Sequence, residues 1–245
     1  MNKYVFWVFL CLFSANKGLV LEDLYSQKEI FGKRLSKKRI GYYFGSFDPL
    51  HLGHESLVQE ILDQDLCDYI IVCPAWGGDD FKQRSKLNVR LEMLFSTFSK
   101  HEKIIISALC PGEIQTILNT LKDPEYIGII GSDTALLASQ IPEWISVFMT
   151  GESIPKKYQE HTIGGTMLVS AKSFIVGVRR EDEKKIQDLK GIFGNRIIVA
   201  EIRTKYANVA SSNIQKERKS DHKIDNQVSG IVLNIIEKNN LYRKN

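Results

Sequence analysis

Two histidines, His51 and His54, stand three residues apart at the end of the stretch "GSFDPLHLGH", which runs from Gly45 to His54. An apolar strand-like run precedes the stretch and an amphipathic helical pattern follows it. Backbone N–H groups in a turn between a strand and a helix converge on one point, and the helix N-terminus adds partial positive charge there. Such a place favours an anion, and phosphate is the usual one. Both imidazoles can reach that anion. Protonated, or as neutral donors, they would stabilise negative charge that grows in a transition state. Gly45 and Gly53 leave the backbone open to close approach by a ligand. There is no lysine-plus-hydroxyl phosphate loop and no GxGxxG fingerprint. The pattern therefore argues against kinases and dehydrogenases.

The elements that must position the histidines follow from periodicity. "RIGYYF" (39–44) reads as a buried strand and "HESLVQEILDQDL" (54–66) as a helix, with Leu57, Val58, Ile61 and Leu62 on one face. "YIIVCP" (69–74) is a second strand, which completes a parallel βαβ unit. Further helices are expected over 88–98 and 113–122, and further strands over 103–109, 126–131, 173–180 and 196–202. The segment 228–240 closes the chain as a helix, with Val228, Ile231, Val232, Ile235 and Ile236 spaced for one face. This alternation predicts an α/β fold with a doubly wound, Rossmann-like parallel sheet, in which ligands bind at the carboxyl ends of the strands. The stretch 45–54 lies at one of those ends.

Composition bounds the remainder. The chain has 245 residues, 43% hydrophobic and 25% charged, with a formal net charge of +4. That is a soluble globular balance, and the mild basic excess makes no case for nucleic acid. Part of the excess sits in "KRLSKKR" (33–39), read as a solvated linker. The four cysteines, Cys11, Cys67, Cys73 and Cys110, form no CxxC pair, which disfavours zinc and any disulfide framework. The first 18 residues have the layout of a signal peptide: one lysine, an apolar run from Tyr4 to Phe13, then small and polar residues. That run is too short to span a bilayer as a helix. The expected organisation is a leader over 1–18 that suggests export, a polar basic connector over 19–38, and one α/β domain over 39–245. A homo-oligomer is left open.

"FGSFDPLHLGH" resembles the first motif of the HxGH nucleotidyltransferases, (G/S)(T/S)FDPxHxGH. "IIGSDTALLASQIPEW" (129–144) is similar to the GxD…W segment of nicotinate and nicotinamide mononucleotide adenylyltransferases, and "CPAWGGDDFKQRSKLNVRLEML" (73–94) to their proline, lysine and R-L-x-M-L region. "FIVGVRR" matches a later strand ending in arginine, "VASSNIQ" (209–215) falls where they carry ISSTxIR, and "VSGIVLNIIEKNNLY" resembles their terminal helix. The likeness covers roughly Ile40 to Tyr242. It implies adenylyl transfer from ATP to a pyridine mononucleotide. His51 and His54 would hold the ATP phosphates, while Gly45, Ser46, Phe47 and Gly53 would line the phosphate turn. Gly131 and Asp133 would hold the ATP ribose. Ser211 and Ser212 would cap a helix against the triphosphate. Lys82, Arg90, Glu113, Thr116, Trp144 and Arg179 would face the substrates, with Trp144 near the pyridine ring. Magnesium would be bound through the nucleotide phosphates and not by a protein cage.

Two positions depart from that pattern. Ala210 stands where the last motif has its first serine, and Gln215 where it has arginine. A neutral amide cannot replace a guanidinium on pyrophosphate, which leaves Lys216 or Arg218 as substitutes. Glu113 stands where a threonine is common, and a carboxylate there would repel nicotinate and favour the amide. Besides the pyridine substrate, the residues leave open another phosphorylated acceptor and a nucleotide binder without turnover.

Overall fold

The structure, a computed structural model, describes residues 19–20, 35–75, 84–108, 125–132, 135, 171, 173–178, 184, 187, 197–201 and 205–243. The leader over 1–18 and the helix expected over 113–122 lie outside them. Among the described residues, no helix is long and apolar enough to cross a membrane.

Strand β2 (Arg39–Gly45) is an unbroken buried run from Ile40 to Tyr43, the pattern of a parallel strand covered on both faces. It pairs in parallel with β3 (Tyr69–Pro74) on one side and β5 (Glu125–Gly131) on the other. Outward from β3 come β4 (Ile104–Ile106) and the two-residue β1 (Leu19–Val20). Outward from β5 come β6 (Ser173–Val178) and β7 (Ile197–Glu201). The order β1-β4-β3-β2-β5-β6-β7 bears out the doubly wound parallel sheet. It reverses direction between β2 and β5, and that reversal is the topological switch point where such sheets bind ligands.

Helix α1 (Leu52–Asp63) starts two residues earlier than its apolar spacing suggests. The reason is His51. It takes the N-cap position with extended backbone, and its ring accepts from the His54 amide. Leu57, Val58 and Ile61 are buried as expected, and Leu62 is half-buried against the same core. Leu57 enters the groove left by Gly177 on β6, where a Cβ would come within 2.8 Å of its methyls. Helix α2 (Leu87–Phe98) buries Val89, Arg90, Met93, Leu94 and Phe98. Helix α4 (Gly230–Lys238) packs on α2 through Val232, Ile235 and Ile236, with Lys238 Nζ 3.1 Å from Glu92 Oε1. Ile231, assigned to the buried face by spacing, is instead 45% exposed.

The basic run 33–39 is described only from Leu35 onward, and that part is not a solvated linker. Leu35 is buried, and Arg39 opens β2 with Nη2 3.1 Å from both Asp65 and Asp68 carboxylates. Cys67 and Cys73 are buried free thiols, and burial pushes the Cys67 thiol up to about 12. A thiol held protonated in that way is inert.

Candidate active site

Gly45 ends β2 and Gly131 ends β5, on neighbouring strands at the switch point. The stretch 45–54 therefore opens at the carboxyl edge of the sheet, beside the end of the "YIGIIG" strand. From Gly45 the chain turns through Phe47, whose φ of 46° is left-handed. For a bulky residue that conformation costs about 1–2 kcal/mol. The surrounding packing holds it. The Phe47 ring is 1% exposed and meets Tyr43 edge-on at 5.1 Å and His54 edge-on at 5.0 Å. Phe47 was expected in the phosphate turn, and the backbone there does turn at it. Its ring is part of the core and serves as a shelf under the His54 ring.

The two imidazoles stack, with centroids 3.6 Å apart and planes 24° from parallel. His51 is 5% exposed, and its Nδ1 accepts from the His54 amide at 3.3 Å. A nitrogen that accepts carries no proton, so the His51 proton resides on Nε2, which is then a donor. Helix-capping and phosphate-binding roles are thus compatible in one ring.

Gly53 is required by the protein's own backbone. A Cβ there would lie 2.9 Å from the Tyr206 carbonyl and 3.0 Å from His51 Nδ1. The space attributed to an approaching ligand is filled by the 205–210 loop. Gly53→Ala is accordingly expected to lose about 1–3 kcal/mol of stability by overpacking. It should also displace the His51 ring, so a lower urea midpoint should be accompanied by shifted His51 imidazole resonances. An unchanged midpoint would refute the close contact.

Beneath the turn lies a polar knot. The Asp48 carboxylate, 3% exposed, accepts from the Ser85 amide at 2.9 Å and from the Tyr242 hydroxyl. Burial and the adjacent Asp48 charge push the Tyr242 phenol well above its ordinary range, so it stays protonated and donates. Gln215 Nε2 donates to the Asp48 carbonyl at 2.6 Å and lies 3.4 Å from its carboxylate. Gln215 therefore holds the turn in place. Arg90 is 0% exposed, with Nε 3.0 Å from the Ser85 carbonyl and Nη1 2.8 Å from the Ser46 carbonyl. It was expected to face substrate. Both hydrogen bonds point into the protein, and its role is to fix the backbone of the turn.

The expected helix cap is also corrected. The N-cap of α3 (Ser211–Lys219) is Ala210, which has no capping side chain. Ser211 and Ser212 are the first two helical residues. The Ser211 hydroxyl donates to the Pro49 carbonyl at 3.1 Å and ties α3 to the turn, whereas Ser212 is exposed. Among the offered substitutes for Gln215, Lys216 is exposed and Arg218 Nη2 faces Glu237 of α4 at 3.9 Å. Lys82, Glu113, Thr116, Asp133, Trp144 and Arg179 lie outside the described residues.

No protein-family model matches the chain. It is 27% identical over 212 residues to a probable nicotinate-nucleotide adenylyltransferase of Fusobacterium nucleatum, covering 82% of this chain and 97% of that protein. A Clostridium botulinum protein of the same description is 26% identical over 221 residues, covering 84% of this chain and 99% of the relative. These alignments span both histidines and nearly the full length of each relative. The chain is thus similar to these two proteins over most of its length. Its fold is also that of a Plasmodium falciparum nicotinic acid mononucleotide adenylyltransferase complexed with NaAD, with a TM-score of 0.60 at 18% identity over 84% of this chain and 97% of that one.

That likeness gives the HxGH turn of this protein its context. The motif places the histidines, but the residues that shape the turn are Asp48, Arg84, Ser85, Tyr206 and Tyr242, which sequence reading passed over. Arg84 Nε donates to Ser46 Oγ at 3.0 Å, so a second arginine joins Arg90 at the same residue. Only Asp48 carried a signal, through its place in the motif. The others act through backbone atoms or from far along the chain.

Proposed function

We propose that this HxGH protein transfers the adenylyl group of ATP to nicotinate or nicotinamide mononucleotide, forming a dinucleotide and pyrophosphate. The observation that carries the reading is the stacked His51–His54 pair at the switch point, with Gly45 and Gly131 ending adjacent strands beside it. The near-complete coverage of two relatives bearing an adenylyltransferase name supports it.

In this reading an oxygen of the mononucleotide phosphate attacks the α-phosphorus of ATP. The bond to the β-phosphate oxygen breaks, and pyrophosphate leaves with the electron pair. The substrate is its own nucleophile, so the protein contributes position and charge. His54 meets the transferring group and His51 Nε2 donates to a neighbouring phosphate oxygen. The amides of Gly45 and Ser46 cradle phosphate, Gly131 leaves room for the ribose, and the resemblance would give Asp133 to the same ribose. Magnesium would be held by the nucleotide phosphates and would supply charge shielding there. The resemblance would give Lys82 and Arg179 to the anionic substrates, and Thr116 and Trp144 to the pyridine.

Pyrophosphate release with ATP, magnesium and mononucleotide tests the reading. Release that requires the mononucleotide supports it. ATP binding without release would leave a nucleotide binder on the same fold.

Glu113 refines the acceptor. The relatives carry the nicotinate name, but a carboxylate in place of threonine repels a second carboxylate by about 1–4 kcal/mol at contact distance in an aqueous or surface-like dielectric. The amide is therefore expected to exceed the acid in kcat/KM by roughly tenfold. A clear preference for the acid would overturn this refinement and leave the adenylyl transfer intact.

A further inference from the structure

Tyr242 follows Asp48 by 194 residues, and its hydroxyl nonetheless donates to the Asp48 carboxylate. The Ser85 hydroxyl donates to the same phenol oxygen at 3.2 Å, and the Ser85 amide donates to the other Asp48 oxygen at 2.9 Å. Asp48, Ser85 and Tyr242 thus close a hydrogen-bonded triangle on one buried carboxylate. Gln215 of α3 holds the carbonyl of the same aspartate at 2.6 Å. Asp48 lies two residues after Ser46 and three before His51, so a displacement of Asp48 passes to both sides of the phosphate turn.

The segment after α4 docks without this bond. The Asn240 amide donates to the Glu237 carbonyl at 3.1 Å and the Leu241 amide to the Ile236 carbonyl at 3.0 Å, which closes the helix. Leu241 packs against the core. Tyr242 then takes a left-handed φ of 59°, a conformation disfavoured for a bulky residue. Phe47, next to Asp48, is left-handed as well. Strain of this kind persists where the surroundings over-determine it, and it gathers at functional sites. Here it brings a phenol to a carboxylate. Burial first, then the Asp48 charge, keeps that phenol protonated and therefore a donor.

We propose that Tyr242 is a positioning residue for adenylyl transfer, fixing through Asp48 the turn that carries His51 and His54. The proposal rests on the reaction proposed above and adds a distant residue to its machinery. Tyr242 acts on the histidines through the backbone from Asp48 to His51.

Tyr242→Phe keeps the ring and removes only the hydroxyl. In the full chain it is expected to lower kcat for pyrophosphate release about ten- to hundred-fold, the cost of a misplaced catalytic group, and to raise KM for ATP by less. The His51 and His54 imidazole resonances should shift in the folded protein. Ile235→Val trims the buried face of α4 and is the control. It should lower the urea midpoint while leaving kcat per folded molecule and both resonances in place. Added to Asp48→Asn, whose acceptor has lost its charge, Tyr242→Phe should cost less than it does alone. A Tyr242→Phe protein that loses stability only, with kcat per folded molecule and both resonances unchanged, would overturn the proposal and leave the reaction standing. Shifted resonances in a protein that releases no pyrophosphate would keep the hold on the histidines and remove the proposed reaction. Should Tyr242→Phe fail to fold, the unaltered protein decides. Its Tyr242 hydroxyl proton, slowed in exchange by the carboxylate, should shift when inorganic tripolyphosphate is added to saturation, and an unmoved resonance refutes the proposal.

Discussion

Replacing His54 by alanine is expected to lower kcat for adenylyl transfer by about 10²–10³-fold, the usual loss when one preorganised donor to developing charge is removed. The expectation rests on how tightly the ring is fixed. It stacks on His51 at 3.6 Å, meets Phe47 edge-on at 5.0 Å and lies 6.0 Å from the Tyr43 ring. A donor held on three sides needs little reorganisation as the transition state forms. The matching change at His51 should differ in kind. His51 caps α1, so His51→Ala loses about 1 kcal/mol of stability in addition to rate. Steady-state pyrophosphate release beside thermal melts of both variants checks the pair. More than a tenth of the original kcat in His54→Ala would show that the ring is not the transferring-group donor.

The second large effect is structural. Arg90→Leu should destabilise the protein by about 2–4 kcal/mol, since it removes two charge-assisted hydrogen bonds and leaves two part-buried carbonyls unsatisfied. Those carbonyls belong to Ser46 and Ser85, which flank the phosphate turn from two directions. The variant should therefore show a much lower urea midpoint and a lower kcat together. A substrate ligand would behave differently, with a raised KM and an unchanged midpoint. That second pattern would return Arg90 to the substrate-facing role its motif suggested. Chemical denaturation followed by initial-rate kinetics on the folded fraction separates the two.

What could be read in advance divides along physical lines. The continuous apolar runs at 39–44 and 69–74 and the glycine turn between strand and helix are local patterns, and they led directly to a carboxyl end of the sheet. The position of Gly131 beside Gly45 came only with the strand order, which alternation alone does not give. Arg90 was misread although its spacing held the answer. It lies three and four residues before Met93 and Leu94, on the buried stripe of α2. A charge on such a stripe needs buried acceptors, and here they are backbone oxygens, which leave no mark in the order of side chains. Ala210 offered no capping signal, so the start of α3 was placed on the serines after it. Ile231 sits at the margin of its apolar stripe, where one helical step decides between core and water. The dual use of His51 was hidden because imidazole is rarely counted among N-caps.

The polar knot beneath the turn also governs when the site can exist. Ser85 reaches Asp48 across 37 residues, Ser211 reaches Pro49 across 162, Gln215 reaches Asp48 across 167, and Tyr242 does so across 194. Local strain at Phe47 opposes the turn's own geometry, so the segment has no reason to hold its shape alone. Contacts of such separation form late in folding, after their loop-closure entropy has been offset by the rest of the sheet. Catalytic competence should therefore appear as one of the last events of folding, after the secondary structure of the sheet is complete. A synthetic peptide spanning the motif should carry both histidines and none of their geometry.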